Sequence, residues 1–512
     1  MSLAILHYHL NRGGVTRVIE NQLASLDSVL EGADPLRVGL LFGGRREGFD
    51  DELPDRLRTI RLCLEEVPLL DYDNVRPHAD EDSPDDLLRQ LISTLDRLRF
   101  KPEETVLHVH NHSLGKNRLL VPVVGRLAEA GYAVVLQIHD FAEDFRAANY
   151  RCIGAAGTAL LYPQSPSIHY AVLNRRDHEI LREAGTDADR LHFLPNPVPM
   201  PSGLPSKVEA RTRLNERFAV RPADRFVLYP VRGIRRKNLG EALLYSALAP
   251  EGTIVGLTLA PRNPTELPIY SAWKELASEL ALPFRFELGE PGGLSFAENL
   301  AAADLILTTS VAEGFGMVFL ESWLAGRPLV GRDLPEITAD FVEVGVRLDA
   351  LWPNLRVPIE WIGVETFRRA VADAYRRSLA AFDRKPSPHW EEALDAKIGA
   401  EMVDFGDLDE SMQQQVLRMV CRNEGNRHRV LQDNPRLAEA LTIDEEAASR
   451  NVAENRQTID RHFSLRPSGN RLRELYSNAV ESPRSEQPGP LPHVGRILDR
   501  FLKLDRFRLI RS

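Results

Sequence analysis

Two glutamates flank a glycine-rich turn, and their spacing offers a pair of carboxylates to one ligand. Glu313 precedes the turn, and Glu321 lies about one turn inside a helix that is predicted to begin at Met317. Helical side chains lean back toward the N-terminus, so both carboxylates can reach the same bound molecule. Because an ionised carboxylate only accepts hydrogen bonds, the pair suits a ligand that carries hydroxyl groups.

The residues around this turn predict a strand that leads into a helix. Residues 305–307 are apolar and are followed by the polar residues 308–310, which is typical of a buried parallel strand. The helix-forming run after Met317 ends at Gly326 and Pro328. Free backbone N–H groups and the helix dipole at such an N-terminus favour a bound phosphate.

A simpler interpretation places Glu321 on a solvated helix face and treats the glycines as ordinary turn residues. The neighbours of this glutamate are large and apolar: Val318, Phe319, Leu320, Trp323 and Leu324. A helix with so many apolar residues is largely buried, and a buried carboxylate is costly unless it has a partner. The pattern therefore favours a binding role for Glu321.

A basic segment follows the strand that is predicted at Phe226–Pro230. Arg232 and Lys237 are five residues apart and lie in the crevice where open α/β sheets bind ligands. Arginine offers a planar fork and lysine a mobile point charge, so the two can neutralise a diphosphate. The alternative is a solvated basic loop, and for Arg235 and Arg236 we expect that alternative.

The Glu-x7-Glu spacing around Gly-Phe-Gly resembles the donor-site motif of retaining glycosyltransferases with the GT-B fold, in the large family 4 group. The resemblance implies that Glu313 contacts the donor sugar and that Glu321 contacts the ribose hydroxyls of a nucleotide. It places residues 314–317 against the sugar and the phosphates. Arg232 and Lys237 match a basic element of the family, although Val231 stands where the family commonly has glycine.

The same resemblance assigns residues in the first half of the chain. Two adjacent glycines after the first strand would bring backbone N–H groups to the donor phosphates, and His139-Asp140 resembles a His-Asp pair beside the donor sugar. By itself, a histidine at a strand end is equally often structural. The implied donor-binding set is Gly13, Gly14, Arg232, Lys237, Glu313, Gly314, Phe315, Gly316, Met317 and Glu321. The implied catalytic set is Glu313, His139, Arg232 and Lys237, with no metal ion.

Alternating histidines offer a rival chemistry. His108, His110 and His112 would point to one face of a strand, and such a cluster could bind zinc. The same alternation contains no Asp, Glu or Cys, so a catalytic metal site would lack further ligands and partners. We therefore interpret residues 110–117 as an acceptor-binding loop that uses His110, His112, Lys116 and Asn117.

Strands alternate with helices along the chain, which predicts a parallel α/β fold. With the resemblance, which covers about residues 1–345, this becomes two Rossmann-like domains that face each other across a cleft. The predicted segments are an acceptor-side domain at 1–200, a donor-side domain at 201–349, a helical region at 350–462, a closing helix at 463–480, a linker at 481–492 and a basic tail at 493–512. The predicted strands are Ser2–Tyr8, Val38–Phe42, Val106–His110, Ala133–His139, Ile168–Leu173, Leu191–Leu194, Phe226–Pro230, Thr253–Leu259, Phe284–Leu288 and Leu305–Thr308.

Composition excludes several other classes of protein. The net charge of −10 argues against a general nucleic-acid binder. Three widely spaced cysteines indicate a reducing compartment rather than a disulfide framework. No apolar run approaches the roughly 18 residues that a membrane span needs, and the N-terminus does not resemble a signal peptide. We expect a cytoplasmic protein.

The last twenty residues, 493–512, carry six basic residues against two Asp, a net charge of +4. As one helix, they would place Ile497, Phe501, Leu504 and Phe507 on one side. Such a helix could lie on anionic lipid and bring the enzyme to a membrane-bound acceptor. The alternative, which an apolar stripe more often means, is a terminal helix docked on the first domain.

Together, these observations predict a retaining glycosyltransferase that moves a sugar from a nucleotide-diphosphate sugar to a small-molecule, saccharide or lipid-linked acceptor. No side chain stands out as a nucleophile, which agrees with the front-face mechanism of the family. No cofactor is needed, because the nucleotide sugar is a substrate. The alternatives are an epimerase or hydrolase of nucleotide sugars on the same fold, and a non-catalytic sugar-nucleotide-binding module.

Overall fold

The chain of 512 residues forms two compact units in a computed structural model, which describes residues 1–30, 34–77, 79–398, 401–443, 445–484 and 487–512. Unit 1 comprises residues 1–199, 381–383 and 461–503. Unit 2 comprises residues 200–380, 384–460 and 504–512. The chain passes from unit 1 to unit 2 after Pro199, within the proline-rich segment that follows the last strand of unit 1.

Unit 1 is built on a seven-stranded sheet with the strand order β3-β2-β1-β4-β5-β7-β8, in which every neighbouring pair is parallel. Its central strands are buried along their whole length because helices cover both faces of the sheet. The strands are β1 Ser2–His7, β2 Leu36–Phe42, β3 Ile60–Glu66, β4 Thr105–His110, β5 Ala133–Ile138, β6 Pro163–Gln164, β7 Ile168–Val172 and β8 Leu191–Phe193. The short β6 lies outside this sheet.

Helices cover this sheet and complete two hydrophobic cores. The helices up to the end of the sheet are α1 Gly14–Asp27, α2 Leu53–Arg56, α3 Pro84–Arg97, α4 Leu120–Glu129, α5 Ala147–Leu160 and α6 Arg175–Glu183. One core contains apolar side chains of α3 and α4, and the other contains Ile19 and Leu23 of α1.

Unit 2 contains a six-stranded parallel sheet with the order β11-β10-β9-β12-β13-β14. A separate antiparallel pair, β15 with β16, lies in the segment after this sheet. The strands are β9 Arg225–Arg232, β10 Thr253–Leu259, β11 Phe284–Arg285, β12 Leu305–Thr308, β13 Leu329–Arg332, β14 Leu351–Trp352, β15 Arg356–Pro358 and β16 Met402–Asp404.

Helices of unit 2 fall into those that alternate with the strands and those that follow them. The first group is α7 Lys207–Phe218, α8 Leu239–Leu248, α9 Leu267–Glu279, α10 Phe296–Ala302, α11 Val318–Leu324 and α12 Pro335–Glu343. The second group is α13 Val364–Ala380, α14 Trp390–Ile398, α15 Glu410–Arg422, α16 Glu424–Asp433, α17 Pro435–Leu441 and α18 Glu445–Phe463. We call residues 350–462 the helical extension, although they also contain the edge strand β14 and the pair β15–β16.

The remainder of the chain lies mostly in unit 1: α19 Leu465–Glu481, β17 Gly489–Pro490 and α20 Gly495–Phe501. Helix α19 packs along α1, and its Leu472 and Tyr476 join the core that contains Ile19 and Leu23. Strand β17 pairs antiparallel with β6. The segment 481–492, for which the sequence predicts a flexible linker, is thus attached to unit 1 at residues 489–490.

The tail is not one continuous helix. Helix α20 ends at Phe501, and two short 3-10 turns, Leu504–Arg506 and Leu509–Arg511, follow it. Ile497 and Phe501 lie in the core of unit 1, while Leu504 and Phe507 are buried in unit 2. Helix α20 thus packs on unit 1, as the docked-tail alternative expects, whereas residues 504–512 belong to unit 2.

None of the described helices is long and apolar enough to cross a membrane.

The strand predictions were correct for most of both sheets, with two kinds of error. The strand expected to reach Leu288 ends at Arg285, because the chain turns at Glu287, which has a positive φ of 65°. Strands β3, β13 and β14 were not predicted. Strand β3 has a largely exposed surface and β14 has only two residues, so neither has the apolar run that identifies a buried strand.

Candidate functional site

Two neighbouring parallel strands of unit 2 bring the basic segment and Glu313 to the same edge of the sheet. Strand β9 ends at Arg232, and β12, which pairs with it, ends at Thr308. Because parallel strands end at a common edge, the loops that follow β9 and β12 lie side by side. The structure thus brings together two of the sequence motifs, which are about eighty residues apart in the chain.

Buried hydroxyl groups fasten these two loops to each other. Thr309 donates from its Oγ1 to the carbonyl oxygens of Lys237, at 3.0 Å, and Asn238, at 3.1 Å. Tyr229 also donates to the Lys237 carbonyl, at 2.6 Å. The Val311 N–H donates to the Arg236 carbonyl at 2.9 Å. The backbone of the basic loop is therefore held in one position relative to the loop that carries Glu313.

Glu313 forms ion pairs with two cations of the basic loop. Its Oε1 pairs with the Lys237 ammonium, and its Oε2 accepts from Arg236 Nη1 at 2.9 Å. Burial alone would raise the pKa of Glu313, but Lys237 and Arg236 outweigh burial and lower this pKa to about 2. Burial lowers the pKa of Lys237, and the Glu313 carboxylate opposes that effect. The cluster is thus an ionised triad in which the Lys237 and Glu313 side chains are nearly buried and the Arg236 side chain is partly exposed.

Arg235 and Arg236 are each more than a third exposed, but both side chains also have partners that the expectation of a solvated loop did not include. Arg236 is a member of the triad and also donates to the Ala312 carbonyl at 3.1 Å. Arg235 forms an ion pair with Glu410 at 3.1 Å and donates to Ser512 O at 2.7 Å. Both side chains form these contacts because the basic loop lies between two other segments. The β12 loop lies on one side, and the helical extension and the end of the tail lie on the other.

Arg232 connects the loops that follow the next strands of the sheet. Its Nη1 donates to the Ala260 carbonyl at 2.7 Å, and the Ala260 N–H donates to Glu290 Oε1 at 2.9 Å. Glu290 lies in the loop 289–295, for which we expect a role in selecting the nucleotide base. Glu290 could not be identified from the sequence, because a single acidic residue in a glycine-rich loop is not a recognisable motif.

The glycine turn is shaped by close packing. Gly316 has a φ of +79°, and a Cβ at this position would lie 2.6 Å from the Phe319 ring. Phe315 is buried and meets the Phe341 ring edge-on, with 5.4 Å between ring centroids. Gly314 and Met317, on either side, are partly buried. The turn therefore requires glycine at position 316 for both its backbone angle and its contact.

Glu321 lies in the first turn of α11, where its N–H donates to the Met317 carbonyl at 2.8 Å. Its side chain is partly buried, and the side chains of the following residues 322–324 are buried. Because α11 has only seven residues, its dipole is weaker than that of a longer helix. The charged groups of the neighbouring loops are therefore the stronger attraction for a phosphate at this edge.

The predicted donor residues of the first half lie in unit 1. Gly13 precedes α1 as its N-terminal cap and has no capping side chain, and a Cβ on Gly14 would meet nothing within 4 Å. The end of this helix is thus open to solvent. His139 is buried at the end of β5, where its Nε2 lies 3.0 Å from His110 Nδ1, and burial lowers its pKa to about 4.

The histidines do not form a row of three. His108 and His110 stack on each other with 4.2 Å between ring centroids, and His108 Nδ1 lies 2.7 Å from the Tyr476 hydroxyl. The strand ends at His110, because Asn111 adopts a left-handed conformation with a φ of 63°. His112 turns away and its Nε2 lies 2.9 Å from the Leu161 carbonyl. Within the part of the chain that the structure describes, no three His, Cys, Asp or Glu residues form a group that could hold a metal ion.

Asn117 and Lys116 differ in how much of their side chain remains available. The Asn117 amide donates to the carbonyls of Leu69 and Asp71, and its oxygen accepts from two backbone N–H groups at the start of α4. Both ends of this amide are thus used by the fold. Lys116 is only partly buried, and its ammonium lies 5.9 Å from the centre of the Tyr72 ring.

Several solved structures are similar to this chain over most of its length. HepE of Anabaena, solved in complex with UDP and glucose, has a TM-score of 0.56 and 12% identity, and the match covers 93% of this chain and 99% of HepE. Sucrose-phosphate synthase of Thermosynechococcus elongatus has a TM-score of 0.54 and 14% identity over 93% of this chain and 98% of that protein. At these identities, the similarity establishes the fold. The chain has the GT-B fold.

A curated relative is similar in sequence as well. Mannosylglucosyl-3-phosphoglycerate synthase of Petrotoga mobilis is 28% identical over 355 residues, which are 67% of each chain. No protein-family model matches the chain. The predicted fold class, two Rossmann-like domains of the GT-B type with added C-terminal helices, is confirmed.

Proposed function

We propose that this protein is a retaining glycosyltransferase that transfers a sugar from a nucleotide-diphosphate sugar. The single observation that carries the proposal is the triad of Lys237, Arg236 and Glu313 at the carboxyl edge of the second sheet, on a GT-B fold. Ligands of open α/β sheets bind at this edge. These two cations, with Arg232 at the end of β9, suit a diphosphate, and the carboxylates suit sugar hydroxyls.

In this proposal, Arg232, Arg236 and Lys237 bind the diphosphate and stabilise the charge that develops as the sugar leaves. The bond between the sugar C1 and the β-phosphate oxygen breaks, and the acceptor oxygen attacks C1 from the same face. The acceptor proton passes to the departing phosphate oxygen. Glu313 holds the two cations in position, which is a pre-organised electrostatic effect rather than nucleophilic catalysis.

The donor-binding set from the sequence also enters the proposal. Glu321 accepts hydrogen bonds from the ribose, and the turn at residues 314–317 lies against the sugar and phosphates. In unit 1, Gly13 and Gly14 offer the N–H groups at the open end of α1, and His139 contacts the sugar. Because His139 has a lowered pKa, it is neutral at pH 7 and can donate or accept one hydrogen bond without adding charge.

The name of the curated relative supports a proposal for the acceptor class. That name describes the synthesis of a glycosylated 3-phosphoglycerate, so 3-phosphoglycerate and its glycosides are the first acceptors to test. Lys116 is the basic residue of the predicted acceptor loop that remains partly exposed, and it is the candidate for contact with the acceptor phosphate. His110 and His112 are buried and support this loop from the interior of unit 1.

A donor panel followed by a product assay tests the proposal. The purified protein is heated with UDP, GDP and ADP and with their sugars, and a ligand at about 100 times its dissociation constant should raise stability by about 2.7 kcal/mol. The stabilising donor is then incubated with each acceptor. We expect a glycosylated acceptor. Release of free sugar alone, or binding without any turnover, would instead favour a hydrolase or a non-catalytic binding module.

We expect transfer to retain the anomeric configuration and to need no metal ion. The reason is that the proposal assigns three cations to the diphosphate, whereas the segment 305–321 contains no Asp-x-Asp element. Proton NMR of the product at early times reports the configuration of the new bond. Loss of activity with a chelator, restored by manganese or magnesium, would contradict metal independence, and an inverted product would contradict retention.

A further inference from the structure

A cavity of about 710 Å³ lies at the other edge of the second sheet. Arg225, the first residue of β9, lines it together with Leu305, the first residue of β12, and Pro328, which directly precedes β13. Parallel strands begin at one edge and end at the opposite one. Since β9 runs from Arg225 to Arg232, the cavity lies roughly 20 Å from the proposed donor site. None of the proposed donor residues lines it.

The lining of this cavity, which we call the amino-edge cavity, carries an excess of two positive charges. Its charged residues are Lys207, Arg211, Arg225 and Arg327 against Asp224 and Asp304. Asp304 is already occupied, since it pairs with Lys207 at 2.6 Å and with Arg211. Asp224 pairs with Arg221, which does not line the cavity.

The remaining two arginines are positioned by neutral groups. Arg225 donates to the Leu441 carbonyl at 2.8 Å, and Arg327 donates to the carbonyls of Leu300 and Ala301 at 3.1 and 2.8 Å. Neither forms an ion pair with any carboxylate of the described residues. Burial lowers the pKa of Arg327, nearby Asp304 opposes this effect, and Arg211 acts in the same direction as burial. The carbonyls thus orient two guanidinium groups without neutralising their charge.

Polar and apolar groups complete the wall. Thr212 and Ser449 are exposed residues of the lining and offer hydroxyl groups, while Ile443 and Ala448 of the helical extension offer apolar surface. The volume falls within the range of sites for small molecules and is far larger than an inorganic anion requires. The site is therefore shaped for an organic molecule that bears an anionic group.

We propose that the amino-edge cavity binds a small phosphate monoester of about the size of a sugar phosphate. The phosphate would lie on Arg225 and Arg327, whose planar forks match phosphate oxygens. A phosphate monoester carries about −1.5 to −2 charges at neutral pH, which matches the excess positive charge of the lining. Its hydroxyl groups would meet Thr212 and Ser449. The helical extension then has a defined role, as one wall of a second ligand site.

Equilibrium binding to the full-length protein tests this proposal, and it does not depend on the transferase assignment. Isothermal titration calorimetry with glucose 6-phosphate should give saturable binding, with inorganic phosphate weaker and glucose undetectable. Arg327→Gln and Thr212→Glu should each weaken glucose 6-phosphate binding by roughly tenfold or more, because they remove a cation or add a carboxylate. Thr366→Glu, which changes an exposed threonine outside the cavity, should leave binding unchanged.

A competition experiment separates this site from the donor site. Saturating UDP should not displace glucose 6-phosphate, and Arg232→Gln should not weaken its binding. Thr212→Glu alters an exposed side chain, so it remains informative if Arg327→Gln fails to fold, which circular dichroism would reveal. Absence of saturable binding, equal binding to wild type and Thr212→Glu, or displacement by UDP would each overturn the proposal.

Discussion

The Glu313 carboxylate accepts from two cations of another loop, and this makes it a positioning residue as well as a candidate sugar contact. Its oxygen atoms are divided between Lys237 and Arg236. Two like charges so close together repel each other, and a buried ammonium is costly without an anion. Glu313 therefore allows the basic loop to keep both charges at the edge of the sheet.

Replacing Glu313 by glutamine should reduce stability in a pH-dependent way. Removal of the carboxylate leaves Lys237 nearly buried without an anionic partner, which should lower the free energy of unfolding by roughly 2 kcal/mol at pH 7. The folded-state pKa of Glu313 is about 2 and its ordinary value is 4.5. Its contribution is thus fully present above pH 4.5 and is lost as the pH falls toward 2.

Chemical denaturation of wild type and Glu313→Gln at pH 7 and pH 3.5 measures this difference. The difference in the free energy of unfolding between the two proteins should be smaller at pH 3.5 than at pH 7. Glu216→Gln is a suitable control, because Glu216 is an exposed residue of α7. Its replacement should change the free energy of unfolding by close to zero at both pH values. A gap that stays constant with pH would show that the Glu313 carboxylate is not held ionised by its cations.

The second prediction at the residue scale concerns the binding of the nucleotide sugar. Glu321→Gln and Arg232→Ala should each weaken binding or turnover of the nucleotide sugar about ten- to hundredfold, the cost of roughly 1.5–3 kcal/mol for a lost charge-assisted hydrogen bond. The protein should stay folded. Arg429→Gln, an exposed arginine of the helical extension, serves as the control. Unchanged kinetics in both test variants would refute the donor-site assignment.

At the scale of elements, the sequence predicted what depends on local pattern and missed what depends on packing. The strand before Thr308, the glycine turn and the basic segment were all recognised, because apolar runs and turn residues are local signals. Arg236 was assigned to solvent because nothing in the sequence shows that its loop lies beside that of Glu313. His112 was placed with the other histidines because the left-handed Asn111 that ends the strand is not visible as a pattern.

The closing helix α19 contacts α1 so closely that one position must be glycine. A Cβ on Gly469 would lie 2.1 Å from the Ser25 carbonyl oxygen, which is a backbone atom and cannot rotate away. Gly469→Ala should therefore move the two helices apart and lower the free energy of unfolding by about 1–3 kcal/mol, although alanine favours helix more than glycine does.

Thermal and chemical denaturation of Gly469→Ala check this contact. Gly14→Ala is a matched control in the partner helix, because a Cβ there meets nothing within 4 Å. That substitution should be neutral or slightly stabilising, since it acts only through helix propensity. Equal stability of wild type and Gly469→Ala would mean that α19 lies farther from α1 than the structure places it.

At the scale of the whole molecule, a buried network joins the helical extension to the basic loop within unit 2. Arg332 is fully buried and binds Glu241 at 2.6 Å and Asp404 of the extension at 2.7 Å. Asn238, the residue after Lys237, donates to Glu241 at 2.7 Å and accepts from Gln413 at 2.9 Å. The extension therefore contributes directly to the position of the basic loop.

The last prediction follows from this network. Burial would raise the pKa of Asp404, but Arg332 and Arg508 outweigh burial and hold it below its ordinary value. Asp404→Asn leaves Arg332 with one carboxylate in a buried site, so it should lower the free energy of unfolding by roughly 3 kcal/mol. Through Gln413 and Asn238, it should also weaken donor binding, whereas Asp395→Asn, an exposed control in the extension, should change neither. Denaturation and donor titration measure the two effects, and lowered stability with unchanged donor affinity would show that the basic loop is positioned independently of the extension.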